Sequence, residues 1–280
     1  MTGRAGRTQK EGTRVLNRTV ALANARERYI VDADYNILED ETFKNNIRIR
    51  DVELPGVEMI GREAFYSCSA LRRGTFPRVL VIREGAFANC SNLKRAEYPD
   101  TLRELEREAF YKCKRMKSID FGENKLIKKI PEKAFAECRQ LEELKLPVNL
   151  QEIGTMAFYK CDSLVQVKLP DTLKIIGGKA FYQCGFKSLE LPEGLEEIGE
   201  SAFLKCKSLE YVKIPSSVKQ IGKWAFHGCS RLKVLEIMHE PEKIGEWLTN
   251  KNCTIRCPKG SRMEAYAAEY GMQTEEVDNK

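Results

Sequence analysis

The dipeptide Ala-Phe, followed three residues after the phenylalanine by cysteine, recurs eight times in this chain at nearly constant spacing. The cysteines stand at 68, 90, 113, 138, 161, 184, 206 and 229, so the intervals are 22, 23, 25, 23, 23, 22 and 23 residues. Self-similarity at such a period points to stacked copies of one small unit. Ten cysteines could also suggest a disulfide framework, but a fixed period is not the mark of one. Zinc sites need ligand pairs two to four residues apart, and the eight regular cysteines contain none.

The rest of the unit follows from the same alignment. Three residues past each cysteine comes Leu71, Leu93, Met116, Leu141, Leu164, Leu209 or Leu232. The sixth copy is one residue shorter, and Phe186 takes that slot. A short alternating run follows, clearest in Leu164-Val165-Gln166-Val167-Lys168-Leu169-Pro170, with Val167 and Leu169 on one face. Proline ends the run at 77, 99, 147, 170, 192 and 215, since its missing N–H stops ladder pairing. A turn and an aliphatic-x-x-Ile-Gly segment lead to the next Ala-Phe, as in Leu173, Ile176 and Gly177.

One unit has too few apolar positions, and no second layer, to bury them. A buried Phe, Leu or Ile contributes about 2 kcal/mol, against about 1–2 kcal/mol of backbone ordering per residue. Stacking removes the deficit by lining up like residues in columns through one core. The expected fold is an α/β solenoid with a parallel sheet on its concave face and short helices or turns on the convex face.

The unit L-x-x-I-G-x-x-A-F-x-x-C-x-x-L-x-x-V-x-L-P resembles the BspA-type (Treponema pallidum-type) leucine-rich repeat, found in bacterial surface proteins and some parasitic protists. The resemblance runs through residues 60–237. Cys253-Thr254-Ile255-Arg256-Cys257-Pro258-Lys259-Gly260-Ser261 with Tyr266 resembles that family's end cap, except that Cys257 stands where valine is usual. The implied organisation is a basic leader over residues 1–28, flexible or a short helix. A degenerate first repeat follows over 29–59, then the solenoid over 60–250 and a cap and tail over 251–280. About nine units are expected.

Composition narrows the function. The longest aliphatic run, Val79-Leu80-Val81-Ile82, is far short of the ~20 residues of a membrane span. Residues 1–28 carry seven basic and two acidic side chains, or +5 of the chain's +6. The body is thus near neutral, unlike a nucleic-acid-binding face, and a nucleic-acid or membrane contact is expected only through the leader. With two histidines, no phosphate loop and no nucleophile constellation, the sequence predicts no enzyme, cofactor, metal or small-molecule substrate. Unpaired thiols and the lack of a secretory signal near Met1 predict a cytoplasmic monomer. The resemblance implies instead an exported surface adhesin that contacts host or matrix proteins.

Binding should then sit on outward strand positions. One column reads Arg73, Arg95, Ser118, Glu143, Gln166, Ser188, Tyr211 and Val234, and the next includes Lys168 and Lys213. Arg73, Arg95, Glu143, Gln166, Lys168, Tyr211, Lys213 and Val234 are the candidate contacts for a protein partner, with Tyr211 and Val234 as its apolar anchor. A basic ridge at Arg72, Lys94, Lys117, Lys187 and Lys233 is interrupted by Glu142 and Glu210 and reads as a solvated face.

Overall fold

The computed structural model describes residues 12–23, 29–31, 34–97 and 99–278. Its framework is two parallel ladders running along one solenoid. The first is built of the Ile-Gly segments. Each contributes a strand of two residues, and the inward aliphatics Leu16, Leu38, Ile60, Ile82, Leu105, Ile130, Ile153, Ile176, Ile198, Ile221 and Ile244 form one column. That makes eleven coils among the described residues, where the sequence predicted about nine. The two extra coils are those of Lys243–Ile244 at the C-terminal end and of Val15–Leu16, which pairs with Ile37–Leu38, so the first rung lies within the stretch read as a leader. A short helix, α1 (Arg18–Ala23), follows, with Leu16 and Ala21 buried. Arg14 reaches Asp34 at 3.3 Å and Arg18 donates to the Glu41 carbonyl at 2.6 Å. Arg4, Arg7, Lys10, Arg26 and Arg28 lie outside the described residues.

The second ladder is made by the alternating runs after each leucine, from Tyr29–Val31 to Gln273–Val277, and like the first, which breaks between Glu104–Leu105 and Lys129–Ile130, it is interrupted. Its first break lies between Arg95–Glu97 and Ser118–Asp120, beside the unit with two extra residues. The added loop is held by buried Asn124, whose amide donates to the Leu102 carbonyl at 2.8 Å. Its oxygen accepts from the N–H groups of Leu126 and Ile127 at 2.9 Å. The second break corrects the sequence reading. Residues 164–170, the clearest alternation in the chain, form no ladder strand, and neither do residues 187–191. Between them stands a single backbone bond, from Lys187 to the Val165 carbonyl at 3.2 Å. The gap coincides with the shortened unit, where a side chain on Gly185 would meet the Asp162 carbonyl at 2.5 Å and bulky Phe186 fills the leucine slot.

The Ala-Phe segments form the third side as consecutive turns, not helices. From Glu41 to Phe226 the turns donate from alternate N–H groups to the next coil, as in Met156 to Gly178, Phe158 to Ala180 and Lys160 to Tyr182 at 2.8–2.9 Å. The residue before the alanine and the residue before the cysteine are left-handed, as at Met156 (φ 57°) and Lys160 (φ 56°). For non-glycine residues this costs about 1–2 kcal/mol. It aims alternate N–H groups along the stack, which satisfies donors that would otherwise be buried and unpaired.

The core is a file of rings. Phe43, Phe65, Phe87, Phe110, Phe135, Phe158, Phe181, Phe203 and Phe226 stack at 5.0–5.5 Å with planes 2–18° apart. Such pairs add about 0.5–1.5 kcal/mol each beyond their buried area. The C-terminal end is closed by α2 (Arg262–Glu269), which connects the paired parallel strands Thr254–Pro258 and Gln273–Val277 and packs against both. Ser261 caps that helix, and the Tyr266 hydroxyl donates to the Gly245 carbonyl and accepts from the Leu248 N–H, both at 3.0 Å.

The Ile-Gly glycines are required by proximity. A Cβ on Gly199 would sit 2.6 Å from the Gly178 nitrogen of the preceding coil, whereas one on Gly178 would meet nothing nearer than 3.4 Å. Gly199→Ala should therefore destabilise the protein by ~1–3 kcal/mol in denaturant unfolding, while Gly178→Ala should be near neutral. Equal effects of the two would mean that the coils are not in close contact.

Candidate functional site

The cysteine column was the most chemically suggestive feature, and its geometry makes it structural. All ten cysteines are buried and free. Each repeat thiol donates to the carbonyl of the preceding coil's phenylalanine. Cys68 reaches Phe43 at 3.0 Å, Cys113 reaches Phe87 at 3.2 Å, Cys161 reaches Phe135 at 3.4 Å and Cys229 reaches Phe203 at 3.2 Å. Cys90, Cys138, Cys184 and Cys206 do the same. Burial pushes the thiols of Cys90, Cys113, Cys161 and Cys206 well above their ordinary range, and Cys253 is pushed up to about 11 for the same reason. A thiol kept neutral and shielded is neither nucleophile nor metal ligand. Among the described residues no three His, Cys, Asp or Glu side chains gather where they could hold a metal. His227 and His239 each meet a main-chain carbonyl, Thr249 at 3.3 Å and Val218 at 2.7 Å.

The outward columns form one strand face. Arg73 lies opposite Arg95, Ser118 opposite Glu143, Tyr211 opposite Val234 and Lys213 opposite Glu236. Each arginine has one carboxylate neighbour, Asp51 at 3.9 Å for Arg73 and Glu97 at 3.4 Å for Arg95. Glu143, Gln166 and Lys168 come together in a concavity of about 820 Å³ at the interrupted stretch of the second ladder. Its floor includes the half-buried Leu144, Val167 and Leu191. Around them stand Asp120, Glu142, Glu143, Asp171, Glu190 and Glu193, against Lys145 and Lys168. Lys145 is turned to Glu123 at 3.0 Å, which leaves the rim predominantly negative.

Beside this concavity, Tyr211 and Lys213 border a smaller depression with Ser188 and Glu190. Tyr211 is 44% exposed, and its hydroxyl donates to Glu236 at 2.9 Å. Partial burial and the Glu236 carboxylate raise its pKa. Glu236 also takes Arg256 at 3.1 Å, which spans to Glu275 at 3.0 Å. Tyr211 is thus braced by the end cap. Val234 is half-buried beside it.

The candidate residues therefore fall into three places: Arg73 and Arg95 N-terminal, Glu143, Gln166 and Lys168 central, Tyr211, Lys213 and Val234 C-terminal. Asp171 and Glu193 lie in turns outside the outward strand columns, and the Arg256–Glu236–Glu275 chain joins Glu236 of the second column to the cap strands, whose residues follow no repeat period. The recurring Pro-Asp and Pro-Glu turns carried the signal for the first two.

Comparison with known proteins places these features in context. A family model of the BspA-type leucine-rich repeat region, in six copies, matches residues 36–164 and 128–256. No curated protein matches the sequence. The pneumococcal vaccine antigen PcpA shares the fold at 16% identity, covering 90% of this chain and 79% of that one, with a TM-score of 0.56. A Treponema pallidum leucine rich repeat protein is 26% identical over 89% of this chain and 95% of its own, with a TM-score of 0.41. A leucine rich cell surface protein from Faecalibacterium prausnitzii is 19% identical, covering 91% of this chain and 89% of that one, with a TM-score of 0.45.

The thiol geometry has a measurable consequence. A thiol whose folded pKa exceeds its unfolded value stabilises the protein fully below the ordinary value of 9.0 and loses that contribution as pH rises toward the folded value. The melting temperature should fall as pH climbs above 9, less steeply in a Cys113→Ala/Cys161→Ala variant. The native thiols should also resist an aromatic disulfide reagent at neutral pH until denaturant is added. Rapid labelling of the folded protein, or a slope unchanged in the variant, would contradict this account.

Proposed function

The chain belongs to the BspA-type leucine-rich repeat family, and from that premise we propose that it is a non-enzymatic scaffold that grips a protein partner on its strand face. What carries the reading is the central concavity, where half-buried Leu144, Val167 and Leu191 lie inside a ring of carboxylates. An apolar floor within a polar rim is the anatomy of a recognition surface, with the floor supplying affinity and the rim supplying register. The acidic rim selects a basic segment of the partner. Tyr211, held by Glu236 and the end cap, is a preorganised anchor next to it.

The cytoplasmic placement read from the sequence gains no support from this family, and the similar structures include a cell surface protein. Its physical basis also weakens: thiols this deeply buried need no reducing compartment to stay free. Display at the cell surface is the placement we carry forward. Among the described residues no helix is long and apolar enough to cross a membrane.

The test begins with photo-cross-linking from position 166 of the full-length protein, followed by affinity measurement with the purified partner. Reversing Glu143 and Glu190 to arginine should weaken binding about tenfold or more, and Tyr211→Ala should cost ~2 kcal/mol. Affinity unchanged in both variants would move the site off this face.

A further inference from the structure

North of the acidic concavity the same face changes sign. Arg50, Arg72, Lys94 and Lys117 follow one another in successive coils, joined through their main chains from Arg72 to Arg50 at 2.6 Å, Lys94 to Arg72 at 3.0 Å and Lys117 to Lys94 at 3.2 Å. The basic ridge is therefore continuous through four coils before Glu142 ends it. At ~4.8 Å per coil it spans ~15 Å. Among the described residues, none of the four has a carboxylate within 4.0 Å. Arg73 and Arg95 flank the file and are both 68% exposed. A depression of about 600 Å³ here is lined by Asp51, Arg72, Arg73, Lys94, Arg95 and Glu97, with no apolar side chain among them.

We propose that this strip is a binding site for a linear sulfated polysaccharide, distinct from the protein-binding concavity. The chemistry of the lining selects that class. A protein interface of useful affinity needs a desolvated aromatic or aliphatic centre, and this depression has none. Single-stranded nucleic acid is held by base stacking on aromatic rings, also missing from the lining. What remains is attraction for a flexible, densely charged polyanion, with affinity arising from release of its counterions. Guanidinium and ammonium groups presented by successive coils match a repeating anion, and arginine forks hold tetrahedral oxyanions in bidentate fashion. The two carboxylates of the lining, Asp51 and Glu97, pair with Arg73 and Arg95 and leave the main file open.

The test measures binding of the full-length protein to size-defined heparin oligosaccharides by calorimetry and by salt elution from immobilised heparin. Wild type should bind at about 150 mM salt, with affinity falling steeply as salt rises. The variant Arg72→Glu/Lys94→Glu/Lys117→Glu should lose about tenfold or more and shallow the salt slope. The neutral variant Arg72→Gln/Lys94→Gln/Lys117→Gln should lose less, and its melting curve guards against misfolding. A turn-side control, Lys112→Glu/Lys160→Glu, should stay within about twofold. Chemically desulfated heparin should not bind. Binding unchanged in the triple reversal would overturn the proposal and place any affinity elsewhere on the chain. Equal affinity for polyglutamate or duplex DNA of matched charge would overturn the assigned ligand class. The concavity variant Glu143→Arg/Glu190→Arg should not weaken heparin binding, so failure of the protein-partner reading and failure of this one are separable.

Discussion

A coil of this solenoid has no inside until another coil covers it. The phenylalanine, cysteine, leucine and isoleucine of a unit point toward one axis, and each ring needs a ring above and below to be out of water. Neighbouring coils are bonded through their main chains, on the turn side by N–H groups and elsewhere by two ladders, each of them interrupted. The phenylalanine file at 5.0–5.5 Å records how closely they sit. That spacing dictates the other columns. Where glycine follows isoleucine, as at Gly177, Gly199 and Gly222, the preceding main chain leaves no room for a Cβ, and left-handed residues recur because alternate donors must point along the stack.

The cysteine column is explained by the same constraint. The slot must be small, apolar in bulk and able to donate weakly to a carbonyl that the turn geometry leaves facing the core. A thiol does all three, where alanine would leave the phenylalanine carbonyl without that donor and valine would add bulk without one. Eight buried thiols thus reflect packing and hydrogen bonding, and carry no implication of redox or metal chemistry.

Features that obey the period were legible from the sequence: the ring file, the burial of the cysteines and the register of the outward columns. The Ile-Gly ladder escaped notice because strands of two residues, such as Ile175–Ile176, are too short to show alternation. The first coil at Val15 was hidden because its slots are filled irregularly. The failed ladder at 164–170 had a non-local cause. Its own alternation is clear, but pairing is a property of neighbouring coils, and this segment is laddered neither to Glu143–Lys145 before it nor to the coil after it, which is shortened at Gly185. The central candidates Glu143, Gln166 and Lys168 were named as column members, yet their shared concavity arises from that interruption and appears only in three dimensions.

Function on such a scaffold lies in what the columns present outward, since the inward positions are committed to packing. A basic N-terminal strip, an acidic centre with an apolar floor and a braced tyrosine near the cap divide one face into separate surfaces. The central claim, that one period is one interchangeable structural unit, is tested most directly by excising it. Removing residues 154–176 joins Ile153 to Gly177 and deletes one complete coil, whereas removing 154–165 deletes half of one. Thermal unfolding of the first should remain a single cooperative transition at a modestly lower temperature, and the second should be unfolded or grossly destabilised. If the two deletions behave alike, the coils are not the units from which this protein is built.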